Sequence, residues 1–291
     1  MPFASLNNSP LAHRPAEIHY REYGSGAPLV FLHGGWGYHI YPINKQLHLL
    51  ANYRVLIPDR SGYGLSTRPA DFTIDFHIRA AEETFLFLDA LGIGDAVLWG
   101  HSDGSVIAAW MGLMRPERCR GLILEAFHYH RRKIDSRAFF ETMASAPESF
   151  GEHVAAVLAR EHGESYWREL VQTEGRTWLE IAKLAESGLA ESGLAESKPA
   201  QSGSAESGSA QATSGTVDLF NGTFPELRVP TFILQGAHDP RTDPGEMEAV
   251  QQALPAAHLR VIALGEHCPH SESKAAPQFE VELLKALSQL P

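Results

Sequence analysis

Short apolar runs alternate with amphipathic stretches along most of the chain. A run such as LVFL at residues 29–32 is too short for a helix and is typical of a buried strand. Residues 17–23 instead alternate polar and apolar side chains, as an edge strand would. The strands predicted on this basis cover residues 17–23, 29–32, 54–57, 96–99, 121–124, 231–235 and 259–264.

Helices are predicted between and after these strands. The first of them places Phe85 and Leu88 near one face and is followed by Gly92, a helix-stop signal. The predicted helices cover residues 76–91, 105–114 and 277–289. Because apolar strands separated by helices form parallel sheets that are covered on both faces, the pattern predicts the α/β class with a mostly parallel sheet flanked by helices.

The segment 127–220 interrupts this alternation, because it lacks short apolar strands. Its helical stretches are rich in aromatic residues, which include Phe139, Phe140, Tyr166, Trp167 and Trp178. We therefore predict a core made of residues 1–126 and 221–291. Residues 127–220 are expected to form a helical cap inserted between two strands of that core.

The predicted cap contains a repeat. LAESG occurs at residues 184–188 and again at 189–193, and it is followed by LAES at 194–197. A five-residue step turns a helix by about 500°, so the leucines of successive repeats share no face. We predict a flexible, low-complexity insertion over 184–215, with an interaction arm as the alternative.

The composition of the 291 residues is that of a globular protein, with 44% hydrophobic and 20% charged residues. The net charge of −11 repels phosphate backbones and anionic lipids, so neither a nucleic acid nor a membrane is an expected partner. Cys119 and Cys268 are too few for a disulfide framework, and the sequence shows no secretory leader. A cytoplasmic protein that acts on a small molecule is expected, and its oligomeric state stays open.

Ser102 is the predicted nucleophile. It lies in Gly100-x-Ser102-x-Gly104, between the apolar strand at 96–99 and the helix at 105–114. The two glycines remove side chains that would obstruct a tight strand-to-helix turn, and such a turn exposes the serine hydroxyl at its tip. The start of the helix also directs free N–H groups toward any anion formed there.

A base and an acid follow later strands. A serine hydroxyl becomes nucleophilic when a base removes its proton. His267 follows the strand at 259–264, and Asp239 follows the strand at 231–235. The carboxyl ends of parallel strands meet at one edge of the sheet, so we predict that Ser102, Asp239 and His267 form a catalytic triad.

Other residues compete for these roles. Glu125 ends the strand at 121–124 and is an alternative acid, while His270 is the alternative base. His267 and His270 together also suggest metal ligation. Pro269 keeps the two histidines off a regular helix face and no third ligand is evident, so no metal is expected.

Two backbone N–H groups are expected to hold the negative oxygen that forms during acyl transfer. One belongs to Asp103, directly after the nucleophile. The other belongs to the glycine-rich loop at 33–37, with Gly35 as the first choice and Trp36 as the second.

These motifs, taken in order, resemble the α/β-hydrolase family from about residue 17 to the end of the chain, apart from the repeat. The segments that carry the resemblance are HGGWG at 33–37, PDRSGYGLS at 58–66, GHSDGS at 100–105, QGAHDP at 235–240 and LGEHCPH at 264–270. The resemblance implies the α/β-hydrolase fold and a cofactor-free hydrolase. Serine at 102 speaks against haloalkane dehalogenases and epoxide hydrolases, whose nucleophile is a carboxylate. The loop at 33–37 is similar to that of prolyl iminopeptidases.

Within that family, Ser102-Asp103-Gly104 is similar to the S-D-G of the valacyclovirase and biphenyl hydrolase-like group. The resemblance implies that Asp103 binds the α-amino group of a substrate. The alternative is that Asp103 only complements the dipole of the helix that it begins. Ser105 departs from the second glycine that is usual in that group.

The predicted function is hydrolysis of a small carboxylic ester through an acyl-enzyme. The residues expected to contact the substrate are Trp36, Asp103, Phe127, Tyr129, Phe139, Phe140 and Trp167. The alternatives on the same triad are an aminoacyl-ester hydrolase or aminopeptidase, a carbon–carbon bond hydrolase and a cofactor-free perhydrolase. A non-catalytic binding protein is a further alternative.

Overall fold

The computed structural model describes residues 2–69, 71–187 and 218–291. Eight strands in this part of the chain form one sheet with the spatial order β1-β2-β4-β3-β5-β6-β7-β8. Their bounds are Phe3–Ser9 (β1), Arg14–Tyr23 (β2), Ala27–Leu32 (β3), Tyr53–Pro58 (β4), Ala96–His101 (β5), Cys119–Glu125 (β6), Thr231–Gly236 (β7) and His258–Ile262 (β8).

Strands β3 to β8 pair in parallel, as predicted, while β1 and β2 are antiparallel additions at one end. The expectation that residues 17–23 form an edge strand is wrong, because β2 lies between β1 and β4. The sequence analysis missed β1. Its residues 7–9, Asn-Asn-Ser, have the composition of a turn, and the pairing with β2 shifts register between Leu6 and Ser9.

Seven α-helices lie in the described residues. Their bounds are Phe76–Ala90 (α1), Asp103–Met114 (α2), Arg137–Ser145 (α3), Glu152–His162 (α4), Trp167–Ser187 (α5), Glu246–Ala253 (α6) and Ala276–Gln289 (α7). Helices α1, α2 and α7 correspond to predicted helices. None of the helices described here is long and apolar enough to cross a membrane.

The sheet is buried on both faces. In β3, Leu29 and Phe31 belong to one apolar cluster, which also contains Phe279 and Leu283 of α7. Val30 of the same strand points to the opposite face and joins the cluster that contains α1 and α2. Because side chains alternate between two covered faces, the strand sequence is apolar at every position.

Helices α3, α4 and α5 are inserted between β6 and β7, and α3 packs against α5. We refer to these three as the inserted helices. The predicted insertion over 184–215 lies partly inside and partly outside the described residues. Residues 184–187 form the end of α5, and residues 188–215 lie outside the described residues.

Candidate active site

Ser102 occupies a sharp turn between the end of β5 and the start of α2. Its backbone φ of 54° and ψ of −122° are values that a non-glycine residue adopts at a cost. A Cβ at Gly104 would collide with the carbonyl of Leu32, and a Cβ at Gly100 would collide with the carbonyl of Gly104. The two motif glycines therefore permit the close packing that holds the serine in this conformation.

The structure brings Ser102, His267 and Asp239 into hydrogen-bond contact. Ser102 Oγ lies 3.1 Å from His267 Nε2, and His267 Nδ1 lies 2.9 Å from Asp239 Oδ1. An ionised carboxylate only accepts hydrogen bonds, so the proton of a neutral His267 is on Nδ1. Nε2 then has a lone pair that accepts the hydrogen bond from the Ser102 hydroxyl, which is the arrangement that general-base catalysis requires.

The surroundings of His267 favour its neutral, basic form. Burial, followed by the Arg241 guanidinium, lowers the pKa of His267, and the Asp239 carboxylate opposes this shift. Burial raises the pKa of Asp239, but the nearby His267 and the Arg241 backbone N–H outweigh burial and hold that pKa below its usual range. Asp239 is therefore ionised and His267 neutral near pH 7.

The two competing residues, Glu125 and His270, bind each other. His270 Nδ1 lies 2.7 Å from Glu125 Oε1, and His270 Nε2 lies 3.0 Å from the carbonyl oxygen of Tyr41. Both partners are acceptors, so both ring nitrogens donate and the imidazole carries a positive charge. Burial lowers the pKa of His270, but the Glu125 carboxylate outweighs burial and raises it.

His101, Glu125 and His270 form a buried cluster whose ligand atoms lie within 4.8 Å of one another. Such a cluster has the residue types of a metal site. Both ring nitrogens of His270 are already hydrogen-bonded, and His101 Nε2 lies 3.3 Å from Cys268 Sγ. The hydrogen bonds that these residues make within the protein therefore explain why the three polar side chains are buried together.

The predicted oxyanion-binding groups lie at one cavity with Ser102, the predicted nucleophile. Gly35, Ser102 and Asp103 all line it, and neither the Gly35 nor the Asp103 backbone N–H donates to an acceptor among the described residues. Arg60, which the sequence analysis did not select, donates hydrogen bonds to the carbonyl oxygens of His33 (2.8 Å) and Gly34 (3.3 Å). Arg60 therefore fixes the glycine-rich loop by binding the carbonyl oxygens of that loop.

The cavity lies between the glycine-rich loop, the start of α2 and the inserted helices. Its apolar wall comes from the glycine-rich loop and from the inserted helices, and it consists of Trp36, Phe139, Phe140, Met143 and Trp178. Three of the predicted substrate contacts, Trp36, Phe139 and Phe140, therefore lie at the cavity. An apolar wall beside a few polar groups is typical of small-molecule sites.

Three other predicted contacts, Phe127, Tyr129 and Trp167, do not line this cavity. Phe127 and Tyr129 stack instead in an aromatic cluster with Phe220 and Phe224. Ala126, directly after β6, has a φ of 51°, and the next residue, Phe127, packs in this cluster and does not line the cavity. Trp167 is fully buried.

The Asp103 carboxylate lies at the cavity but already has partners. Trp178 Nε1 donates to Asp103 Oδ1 at 3.2 Å, and Arg60 Nη2 lies 3.6 Å from Oδ2. Burial raises the pKa of Asp103, but hydrogen bonding and charge from His77, and the charge of Arg60, hold it below its usual range. Its negative charge is thus balanced within the protein. Amine recognition by Asp103 stays a prediction.

Glu174 of α5 is a buried acid in the cavity wall that the sequence analysis missed. Its Oε1 lies so close to Gly35 that a Cβ there would collide with it. Burial and the neighbouring Asp103 carboxylate raise the pKa of Glu174 well above its usual range, which favours the neutral acid. A charged residue in an amphipathic helix is ordinarily solvated, so the sequence carries no signal for this position.

His128, also missed, is a second histidine beside Ser102. His128 Nε2 lies 3.4 Å from Ser102 Oγ, and His128 Nδ1 lies 3.4 Å from Nζ of Lys133. The Lys133 ammonium only donates, so Nδ1 accepts and Nε2 carries the proton. His128 therefore directs an N–H toward Ser102. Its position three residues after β6 is a signal that sequence reasoning could have used.

Residues 27–274 match the model of a family described as alpha/beta hydrolase fold. Curated relatives include an epoxide hydrolase of Caballeronia sordidicola (28% identical over 55% of this chain and 52% of that protein). Haloalkane dehalogenase 2 of Mycobacterium tuberculosis is 30% identical over 46% of each chain. A probable proline iminopeptidase of Leptolyngbya boryana is 27% identical over 57% of this chain and 54% of that protein. The chain thus spans about half the length of these relatives.

Solved structures resemble the whole chain. An epoxide hydrolase of Bacillus megaterium superposes with a TM-score of 0.67, covering 99% of this chain and 100% of that chain at 17% identity. The enol-lactonase of Burkholderia xenovorans superposes with a TM-score of 0.65, with the same coverage, at 18% identity. At such identities the likeness concerns the fold alone.

Proposed function

The chain belongs to the alpha/beta-hydrolase family and is an enzyme, and from this premise we propose that it is a serine hydrolase of small carboxylic esters. One observation carries the proposal, namely the 3.1 Å contact between Ser102 Oγ and the unprotonated Nε2 of His267. Asp239 completes the arrangement on the other side of the imidazole ring.

In the proposed mechanism, Ser102 Oγ attacks the ester carbonyl carbon while His267 Nε2 takes the hydroxyl proton. Asp239 stabilises the resulting imidazolium. The N–H groups of Gly35 and Asp103 hold the negative carbonyl oxygen. His267 then protonates the departing alcohol, and a water molecule activated by the same nitrogen hydrolyses the acyl-enzyme.

The residue at the nucleophile position distinguishes this chain from enzymes whose reaction begins with attack by a carboxylate. Residue 102 is a serine, and the neighbouring carboxylate of Asp103 is held by Trp178 and Arg60. A serine nucleophile forms an ester intermediate, which suits acyl transfer. This supports ester cleavage for this chain, although its relatives include an epoxide hydrolase and a haloalkane dehalogenase.

The inserted helices act, in this proposal, as a cap over the nucleophile. Phe139, Phe140 and Met143 of α3, together with Trp178 of α5, line the cavity that contains Ser102. Apolar walls of this kind accept a small acyl or alcohol group. We place the enzyme in the cytoplasm, because both of its cysteines are free and buried.

A fluorophosphonate probe and a substrate panel test the proposal. The probe should label wild-type protein and the Ser288→Ala control, in which an exposed serine near the end of α7 is replaced, but not Ser102→Ala. The panel should contain acyl esters of varied chain length, aminoacyl esters and a ring-cleavage diketone. Turnover of simple esters supports the proposal. Absence of labelling, or turnover confined to the diketone or the aminoacyl esters, contradicts it.

A further inference from the structure

Arg241 is a cation held at the cavity wall close to the catalytic groups. Its backbone N–H donates to Asp239 Oδ1 at 2.9 Å, which ties the residue to the loop that carries the acid. Its guanidinium carbon lies 3.9 Å from the ring centre of Phe139 and 5.7 Å from that of Trp36. Arg241 lines the same cavity as Ser102.

No carboxylate lies within ion-pair distance of Arg241 in residues 2–69, 71–187 and 218–291. This is notable because the chain has 35 acidic and 24 basic residues. Arg60, in contrast, faces Asp103. Stacking engages the flat face of the Arg241 guanidinium, so N–H groups at its edge remain for an acceptor in the cavity.

The wider charge balance around the nucleophile is positive. Lys133 is a second buried cation, and its neighbours are the His128 ring and the ring of Trp178 instead of a carboxylate. The charge of Asp103 is matched by that of Arg60, and burial favours the neutral form of Glu174. With Asp239 counted as well, two ionised carboxylates near Ser102 face three cations, and Arg241 is the one of these cations that lines the cavity.

We propose that Arg241 binds a carboxylate of the substrate, so the natural substrates are esters or lactones that carry a second, ionised carboxyl group. Two N–H groups of a guanidinium match the two oxygens of a carboxylate, and the aromatic rings of Phe139 and Trp36 hold the guanidinium in place for that contact. This inference rests on the proposed ester hydrolysis and specifies its substrate class.

The test compares monomethyl and dimethyl esters of succinic, glutaric and adipic acids. Each pair shares the scissile methyl ester and differs in the charge at the far end. Hydrolysis at pH 7.5 is followed by titration of the released acid. We expect kcat/KM of wild-type enzyme to be at least tenfold higher for the monomethyl ester of at least one chain length, since hydrogen bonds to charged groups contribute about 10- to 100-fold.

Variants then assign the preference to one side chain. Arg241→Gln should reduce the monoester-to-diester ratio of kcat/KM by tenfold or more, mainly through a higher KM for the monoester. Arg241→Lys keeps the charge and should give an intermediate ratio. Arg228→Gln removes an exposed arginine far from the cavity and should leave the ratio unchanged.

The proposal is overturned if wild-type enzyme hydrolyses each diester as fast as its monoester, a comparison that needs no variant. It is also overturned if Arg241→Gln lowers both rates equally. Failure of the underlying ester hydrolysis has a different signature, which is absence of turnover for both members of every pair together with absence of fluorophosphonate labelling at Ser102.

Discussion

Glu125 and His270 are joined by a 2.7 Å contact between Oε1 and Nδ1, so the acid that ends β6 serves a different histidine from the one that contacts Ser102. His267 binds Asp239 instead. Two acid–imidazole pairs thus lie side by side at the carboxyl edge of the sheet. One pair reaches Ser102, and the other connects β6 to the loop after β8.

The first prediction separates the two acids by kinetics. Asp239→Asn should lower kcat by about 10⁴-fold, because an amide cannot hold His267 in the required tautomer or stabilise its charge. Glu125→Gln should lower kcat by less than about tenfold, since its partner is His270. Steady-state hydrolysis of a reactive ester measures both. Equal losses would show that the two acids share the catalytic role.

The second prediction concerns the pH dependence of catalysis. The pKa of His267 is lowered, so kcat/KM should rise with pH through an inflection below 6.5 and be level near neutrality. Removing the charge of Arg241 removes one of the causes of the lowered pKa.

In Arg241→Gln, the inflection should therefore move to higher pH, whereas Arg228→Gln should leave it in place. The measurement is a pH profile with an uncharged diester as substrate. An inflection in Arg241→Gln that stays at the wild-type position would contradict the electrostatic role of the guanidinium.

The third prediction concerns stability. The folded-state pKa of His270 is raised above its ordinary value of 6.5. Its pairing with Glu125 therefore stabilises the fold fully below about pH 6.5, and this stabilisation disappears as pH rises through the raised pKa.

Glu125→Gln should lower the free energy of unfolding by about 3 kcal/mol at pH 6, because it leaves a buried imidazolium without a counter-charge. The loss should be smaller at pH 9. Urea unfolding at both pH values measures it, with the exposed Glu17→Gln as the control. A loss that grows with pH would refute the assigned charge of His270.

The fourth prediction tests the contact between Lys133 and His128. Lys133→Met removes the donor that keeps the His128 proton on Nε2, so the hydrogen bond from His128 to Ser102 Oγ is weakened. The kcat should fall by about five- to tenfold, which corresponds to a hydrogen bond of about 1 kcal/mol.

Stability should change little, because the loss of the contact with His128 is offset by the replacement of a buried charge with an apolar side chain of similar length. Urea unfolding and steady-state kinetics on the same preparation measure both quantities. Unchanged kcat would show that the His128 proton has no part in catalysis.

Strands covered on both faces were predictable because their pattern is local. Leu29, Val30 and Phe31 are all buried, so the run is apolar whatever surrounds it. Strand β1 was not predictable in the same way. It lies at the edge of the sheet, and its Asn7 and Asn8 are exposed, which gives it the composition of a loop.

The amino-acid order by itself determined where the predicted nucleophile, acid and base lie along the chain. Gly100 and Gly104 specify the turn at Ser102 locally, and Asp239 and His267 each follow a strand whose carboxyl end reaches the same edge. Short-range sterics and the parallel sheet suffice for this conclusion.

Tertiary structure alone decided which groups face one another. The pairing of Glu125 with His270 joins residues 145 positions apart, and the approach of Glu174 to Gly35 depends on how an inserted helix packs over the sheet. The stacking of Phe127 on Phe220 and Phe224 likewise keeps its ring out of the expected cavity. Such contacts follow from the packing of whole elements, and no local pattern of side chains records them.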